Sequence, residues 1–138
     1  MFAESLSQEL LIHGTILFLL GLLNGLIIQR FLNPRMGLSA HLAGVQNALV
    51  LWAFGFIWPH LKLGFLGQLA AAWAAIFGMY AIWLALLLSA IWGTSRSTPI
   101  AGAGHSASSG RELVVTILIA LGSIAIIVAT VFVLYGLF

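Results

Sequence analysis

Few side chains in this chain could do chemistry. It has no cysteine, so thiolate catalysis, thiolate ligation and disulfides are excluded. No Asp, Glu, Lys or Arg falls within its long apolar stretches. The imidazole, carboxamide and phenol groups of the first three are His13 and Asn24, then His41, Gln46 and Asn47, then Gln68 and Tyr80. The last stretch adds only Thr116, Ser123, Thr130 and a terminal Tyr135. An imidazole in apolar surroundings suits haem or metal ligation, or proton transfer. Carboxamides and phenols can hold a substrate oxygen by hydrogen bonds. Each such group is costly if left unpaired in an apolar medium, so it should face another polar group, a ligand or another subunit. The bland alternative, a side chain that only bonds a neighbouring helix, fits Gln46 and Gln68 best when each is taken singly.

The elements that must position these groups follow from composition. Of 138 residues, 62% are hydrophobic and 6% charged, against about 25% charged in soluble domains. Four runs of membrane-spanning length occur, at about 10–28, 38–58, 65–92 and 113–138. They are continuous rather than alternating, so they satisfy their own backbones as helices. The expected fold is all-α: a single-domain integral membrane four-helix bundle over residues 1–138, with a flexible Gly- and Ser-rich loop at 93–112. The first residues are acidic and no small-residue cleavage site follows the first run, so no cleavable leader is expected. His105 reads as a solvated loop histidine and His60 as an interfacial one. No basic patch supports a nucleic-acid partner; the expected partners are the lipid bilayer and an apolar small molecule. Arg30, Arg35, Arg96 and Arg111 flank the first and third connections, against Lys62 on the opposite side. The positive-inside rule then predicts that those two loops are cytoplasmic, in a bacterial inner membrane. The lack of an intramembrane carboxylate argues against cation-coupled transport. It also separates the chain from small multidrug exporters, which depend on a glutamate in their first helix.

At about 1.5 Å per residue, His41 lies roughly 5 Å inside the loop-one side, Asn47 roughly 14 Å and Tyr80 roughly 18 Å. Asn24 shares the loop-one end. These four are expected to border one cavity, with His13 and Gln68 towards the opposite ends of their helices. Steps of 7 and 11 residues return to one helical face, so Leu69, Trp73 and Tyr80 form a largely aromatic stripe suited to a flat ring. Trp73 and Trp83 also read simply as packing or interface residues. "GLLNG" (21–25) and the Ala-rich run 70–75 predict close helix packing, within or between subunits.

"NPRMGLSAHLAGVQNA" (33–48), after a first helix with "HG…LFLLGLLNGL" (13–26), resembles the hydroxylaminobenzene mutases, small bacterial membrane enzymes of nitroarene degradation. Ala43 stands where that family has an acidic residue, and "QNA" where it has "MNG". A fainter similarity, to the styrene oxide isomerases, rests on the early His-Gly pair, the His41-x5-Asn47 spacing and Gly78-x-Tyr80. That second resemblance implies haem b with His41 as axial ligand of a ferric Lewis acid. It also implies Asn47 and Tyr80 orienting the substrate oxygen, and a homotrimer with haem near subunit contacts.

The implied reaction turns a hydroxylaminoarene into a 2-aminophenol without net redox, so neither NAD nor flavin is expected. The leaving oxygen must be stabilised by a proton or a Lewis acid. A dry aromatic cavity then protects the cationic species that forms. The expected site comprises His41 as haem ligand, Asn47, Tyr80 and His13 as catalytic groups, and Asn24, Gln46 and Trp73 in the pocket. His13 ranks below released hydroxide or water as the base. Alternatives are haem-free acid catalysis by His41, an epoxide isomerase, and a non-enzymatic haem-binding subunit.

Overall fold

A computed structural model describes residues 2–102 and 104–138, and every element among them is helical. These are α1 (Phe2–Leu26), a tight helical turn Ile28–Arg30, α2 (Pro34–Ile57), a second turn Trp58–His60, α3 (Phe65–Trp92), a short α4 (Pro99–Gly102) and α5 (Ser109–Gly136). Helices α1, α2, α3 and α5 are long and apolar enough to cross a membrane. The all-α, four-helix membrane architecture expected from composition is thus the one observed.

The expected and observed ends of α3 agree at residues 65–92. The other starts differ, for local reasons. Helix α1 begins at Phe2 rather than near residue 10. The stretch "AESLSQE" is polar, but its Ala, Glu, Leu and Gln are good helix formers. Leu6 and Leu10 are buried in the core, and Ser7 donates to the Gly55 carbonyl of α2 at 2.7 Å. Helix α2 begins at Pro34 rather than Leu38, because Asn33 caps it and Pro34 occupies its first turn. Helix α5 reaches back to Ser109, and its buried Glu112 carboxylate accepts the Ser95 and Arg96 N–H groups, both at 3.0 Å.

The helices pack in chain order: α1 on α2, α2 on α3, and α3 on α5. Glycines permit the closest crossings. A Cβ on Gly44 would lie 2.7 Å from the Gly21 Cα, and a Cβ on Gly78 would lie 2.8 Å from the Gly122 carbonyl. The "GLLNG" motif is therefore used inside the chain, with Gly21 against α2 and Gly25 beneath the His41 ring. The alanine run contributes Ala71, Ala72 and Ala75, all fully buried. Contact between α1 and α5 is marginal at most, which leaves a cleft between them floored by α3.

The third connection is more firmly fastened than its composition implies. Gly93 ends α3 in the left-handed conformation (φ 69°). Thr94 donates to Ser89 at 2.8 Å, and Ser97 shares a 2.6 Å bond with Thr116. Asn33 ties this segment to the first connection. Its Oδ1 accepts from Met36 N at 3.2 Å, its Nδ2 donates to the Ala101 carbonyl at 3.1 Å, and its backbone N–H donates to the Ala90 carbonyl at 3.1 Å. The cap alone contributes about 1 kcal/mol. Connections one and three thus share one end of the bundle. At the other end Lys62 N–H donates to the Gly136 carbonyl at 2.6 Å, joining connection two to the end of α5.

Candidate active site

The cleft on α3 encloses about 510 Å³, within the size range of small-molecule sites, roughly 300–1,000 Å³. Helix α1 contributes His13 and Ile16, α3 contributes Ile76, Phe77, Tyr80, Ala81, Trp83 and Leu84, and α5 contributes Leu118. Tyr80 donates its hydroxyl to the His13 carbonyl at 3.0 Å. The His13 ring meets Tyr80 edge-on at 5.8 Å and Trp73 at 6.1 Å. Glu9, one turn earlier on α1, holds a carboxylate oxygen 3.9 Å from His13 Nε2, within reach of an ion pair when the ring is protonated. Phe77 is 49% exposed, so the aromatic floor of the cleft is open on its outer side, and Trp73, equally exposed, stands at its margin beyond His13.

This arrangement corrects the expected grouping. Tyr80 sits beside His13, not beside His41 and Asn24. Depth counted from the shared loop-one end decides this, whatever the position at which α1 starts. Counted from Leu26, His13 lies about 20 Å from the loop-one end, level with Tyr80 at about 18 Å. The cleft takes in Tyr80 without Asn24, His41 or Asn47, and the Gly21–Gly44 crossing brings the α1 backbone against α2 between His41 and Asn47.

The remaining residues lie around that crossing. Asn24 is buried, with Nδ2 donating to the Gly37 carbonyl at 3.0 Å and Oδ1 lacking a partner. Asn47 Nδ2 donates to the Met79 carbonyl at 2.9 Å, in the seam between α2 and α3. His41 lies in the seam between α1 and α2, with Nδ1 2.8 Å from the Gly21 carbonyl. A carbonyl only accepts, so Nδ1 carries the proton and Nε2 keeps its lone pair. Gln46 is exposed on the outward face of α2 and does not line the cleft. Trp73 borders the cleft through its contact with His13.

Two lining residues escaped the sequence reading. Phe77 continues the Trp73–Tyr80 stripe four residues on, a signal that was available in the spacing. Trp83, read as packing, also lines the cleft, and its indole N–H is buried without an acceptor. Its position follows from the Gly44 gap it fills, which no local pattern announces.

The family model for styrene oxide isomerase matches residues 6–138. The chain belongs to the styrene oxide isomerase family. It is similar to the hydroxylaminobenzene mutase HabB of Ectopseudomonas oleovorans, 42% identical over 133 residues, covering 96% of this chain and 81% of that one. It is also similar to HabA of the same organism, 44% identical over 107 residues, covering 77% and 79%. Both resemblances read from the motifs are therefore borne out, and the chain is a multi-pass membrane isomerase of the mutase type. No solved structure matches it. In this isomerase the "NPRMG" part of the most specific motif block is architectural. Asn33 and Pro34 start α2, Met36 is fully buried, and the Gly37 Cα leaves room for the Phe31 ring while its carbonyl holds Asn24.

Proposed function

We propose that the isomerase converts hydroxylaminobenzene-type arenes into 2-aminophenols in the cleft on α3. The observation that carries this reading is the lining of the cleft: an apolar cavity in which one imidazole and one phenol are the only ionisable groups. The names of the two mutase relatives supply the substrate class.

The reaction breaks the N–O bond, forms a C–O bond at the ortho carbon, and moves the ortho proton to nitrogen. Atoms and electrons balance within the substrate, so the protein must only orient it and carry protons. The aromatic floor of Phe77, Tyr80 and Trp83 accepts the flat ring. The Tyr80 oxygen, which spends its proton on the His13 carbonyl, keeps lone pairs to accept from the substrate N–H or O–H. His13 is suited to protonate the departing oxygen, take that proton back as the oxygen bonds to the ortho carbon, then remove the ortho proton and return it to nitrogen. The apolar lining, with the bilayer on its open side, keeps bulk water from the cationic species. Incubating membranes that contain the protein with hydroxylaminobenzene, without any redox cofactor, is expected to give 2-aminophenol. Substrate recovered unchanged would refute the assignment.

A second element of the reading is haem b on His41. The donor fits: the His41 ring is only partly buried, and among the described residues its one hydrogen bond is made by Nδ1, which keeps Nε2 available to a ligand-bound metal. A single imidazole suits a metal that arrives in a macrocycle, and an Nδ1–H bonded to a carbonyl leaves Nε2 oriented as a ligand. When bound, the haem would supply a Lewis acid for the leaving oxygen. The purified protein is expected to show a Soret band, and His41→Ala to lose it while keeping its helix content. A band of undiminished intensity in that variant would remove His41 from this role.

The protein is further proposed to work as a homo-oligomer, a trimer by the family resemblance. It is proposed to lie in a bacterial inner membrane with connections one and three cytoplasmic, which the four-to-one distribution of basic residues supports.

A further inference from the structure

We propose that the cleft carries an apolar extension beyond the His13–Tyr80 pair that lodges a second ring, so that fused two-ring hydroxylaminoarenes are substrates. The proposal rests on the reading of the cleft as the reaction site and adds to it the class of arene the cleft takes. An apolar cavity of about 150 Å³ already holds one benzene ring. The cleft encloses about 510 Å³, roughly three times as much.

The extra space lies along α3, towards the loop-one end. The Gly78–Gly122 crossing, where a Cβ on Gly78 would lie 2.8 Å from the Gly122 carbonyl, sets a common level for α3 and α5. From that level towards the loop-one end, Tyr80 stands about 3 Å on, Leu118 about 6 Å and Leu84 about 9 Å. On α1, Ile16 lies about one turn beyond His13 in the same direction. The His13 ring is turned the other way, in edge contact with Trp73 as well as Tyr80. The polar pair thus occupies one part of the cleft, and Ile16, Ala81, Trp83, Leu84 and Leu118 border the rest. None of these five is charged, and the Trp83 Nε1 is buried against Gly44, so this end offers apolar contact alone. With the hydroxylamino group held at His13 and Tyr80, the ring edge remote from nitrogen faces this end. A ring fused to that edge packs on Ile16, Leu84 and Leu118 and strands no polar group. The chemistry is unaltered: the N–O bond breaks, a C–O bond forms at the adjacent ring carbon, and the proton of that carbon moves to nitrogen.

The test compares hydroxylaminobenzene with 2-hydroxylaminonaphthalene in membranes that contain the protein. The native protein should convert both, the second to 2-amino-1-naphthol. Leu118→Trp and Leu84→Trp fill the extension from α5 and α3. Each should lower the ratio of kcat/KM for the naphthyl over the phenyl substrate by about tenfold or more. Ile124→Trp, on the exposed side of α5 and outside the cleft, should leave that ratio as it is. Comparing ratios between variants cancels each substrate's partition into the bilayer and any difference in the amount of folded protein. Conversion of the phenyl but not the naphthyl substrate by the native protein would overturn the extension and leave the reaction site standing. Conversion of neither would overturn both. A ratio unchanged in the two filled variants would overturn Leu84 and Leu118 as walls of a second-ring site.

Discussion

His13→Ala is expected to lower kcat for hydroxylaminobenzene isomerisation by roughly 10²- to 10⁴-fold, the usual contribution of a positioned acid–base group. KM should change far less, because the cleft is formed mostly by α3 side chains that the substitution leaves in place. The backbone carbonyl that holds the Tyr80 hydroxyl also survives, so the loss reports on the ring itself. Tyr80→Phe preserves the edge-on aromatic contact and removes only the oxygen. It should cost less than the histidine change, with part of the loss in KM. Both variants should retain the native far-ultraviolet dichroism. Activity of His13→Ala within a few-fold of native would show that protons travel by another route and that the cleft is not the reaction site.

The second large effect concerns architecture. Gly44→Leu is expected to abolish the native thermal transition or lower its midpoint severely. The obstruction at this position is backbone and indole: a Cβ would meet the Gly21 Cα at 2.7 Å and Trp83 Cδ1 at 3.0 Å. Even Gly44→Ala forces the α1–α2 crossing apart, a change of the kind that costs about 1–3 kcal/mol in a packed core. Gly64→Ala is the matched control, since a Cβ there has open space around it. A Gly44→Leu protein that melts with the native one would mean that α1 and α2 do not pack through this glycine.

Much of the fold was legible because a bilayer leaves few choices: long continuous apolar runs must be helices, and four of them were countable. The polar starts were not, because capping by Asn33 and burial of Leu6 and Leu10 depend on tertiary neighbours. That small error carried into the site. Judged from the far end of a helix expected to start near residue 10, His13 read as terminal, whereas counted from the loop-one end it lies at the depth of Tyr80. The Trp73–Tyr80 stripe was readable from periodicity alone. The separation of His41 from Asn47 was not, because two glycines distant in sequence, Gly21 and Gly44, decide how closely α1 approaches. Gln46 shows the same limit: spacing put it near the pocket residues, and only the packing of α2 shows which way it faces.

The hydrogen bonds of Asn33 also bear on how the protein is made. Its Nδ2 donates to a carbonyl 68 residues later in the chain, and its backbone N–H donates to Ala90. As the ribosome delivers the helices in order, α1 and α2 enter the bilayer before either acceptor exists. The hairpin they form therefore carries unpaired donors at its tip until α3 and the segment beyond it have been translated. Assembly runs back on itself, with the last connection completing the first.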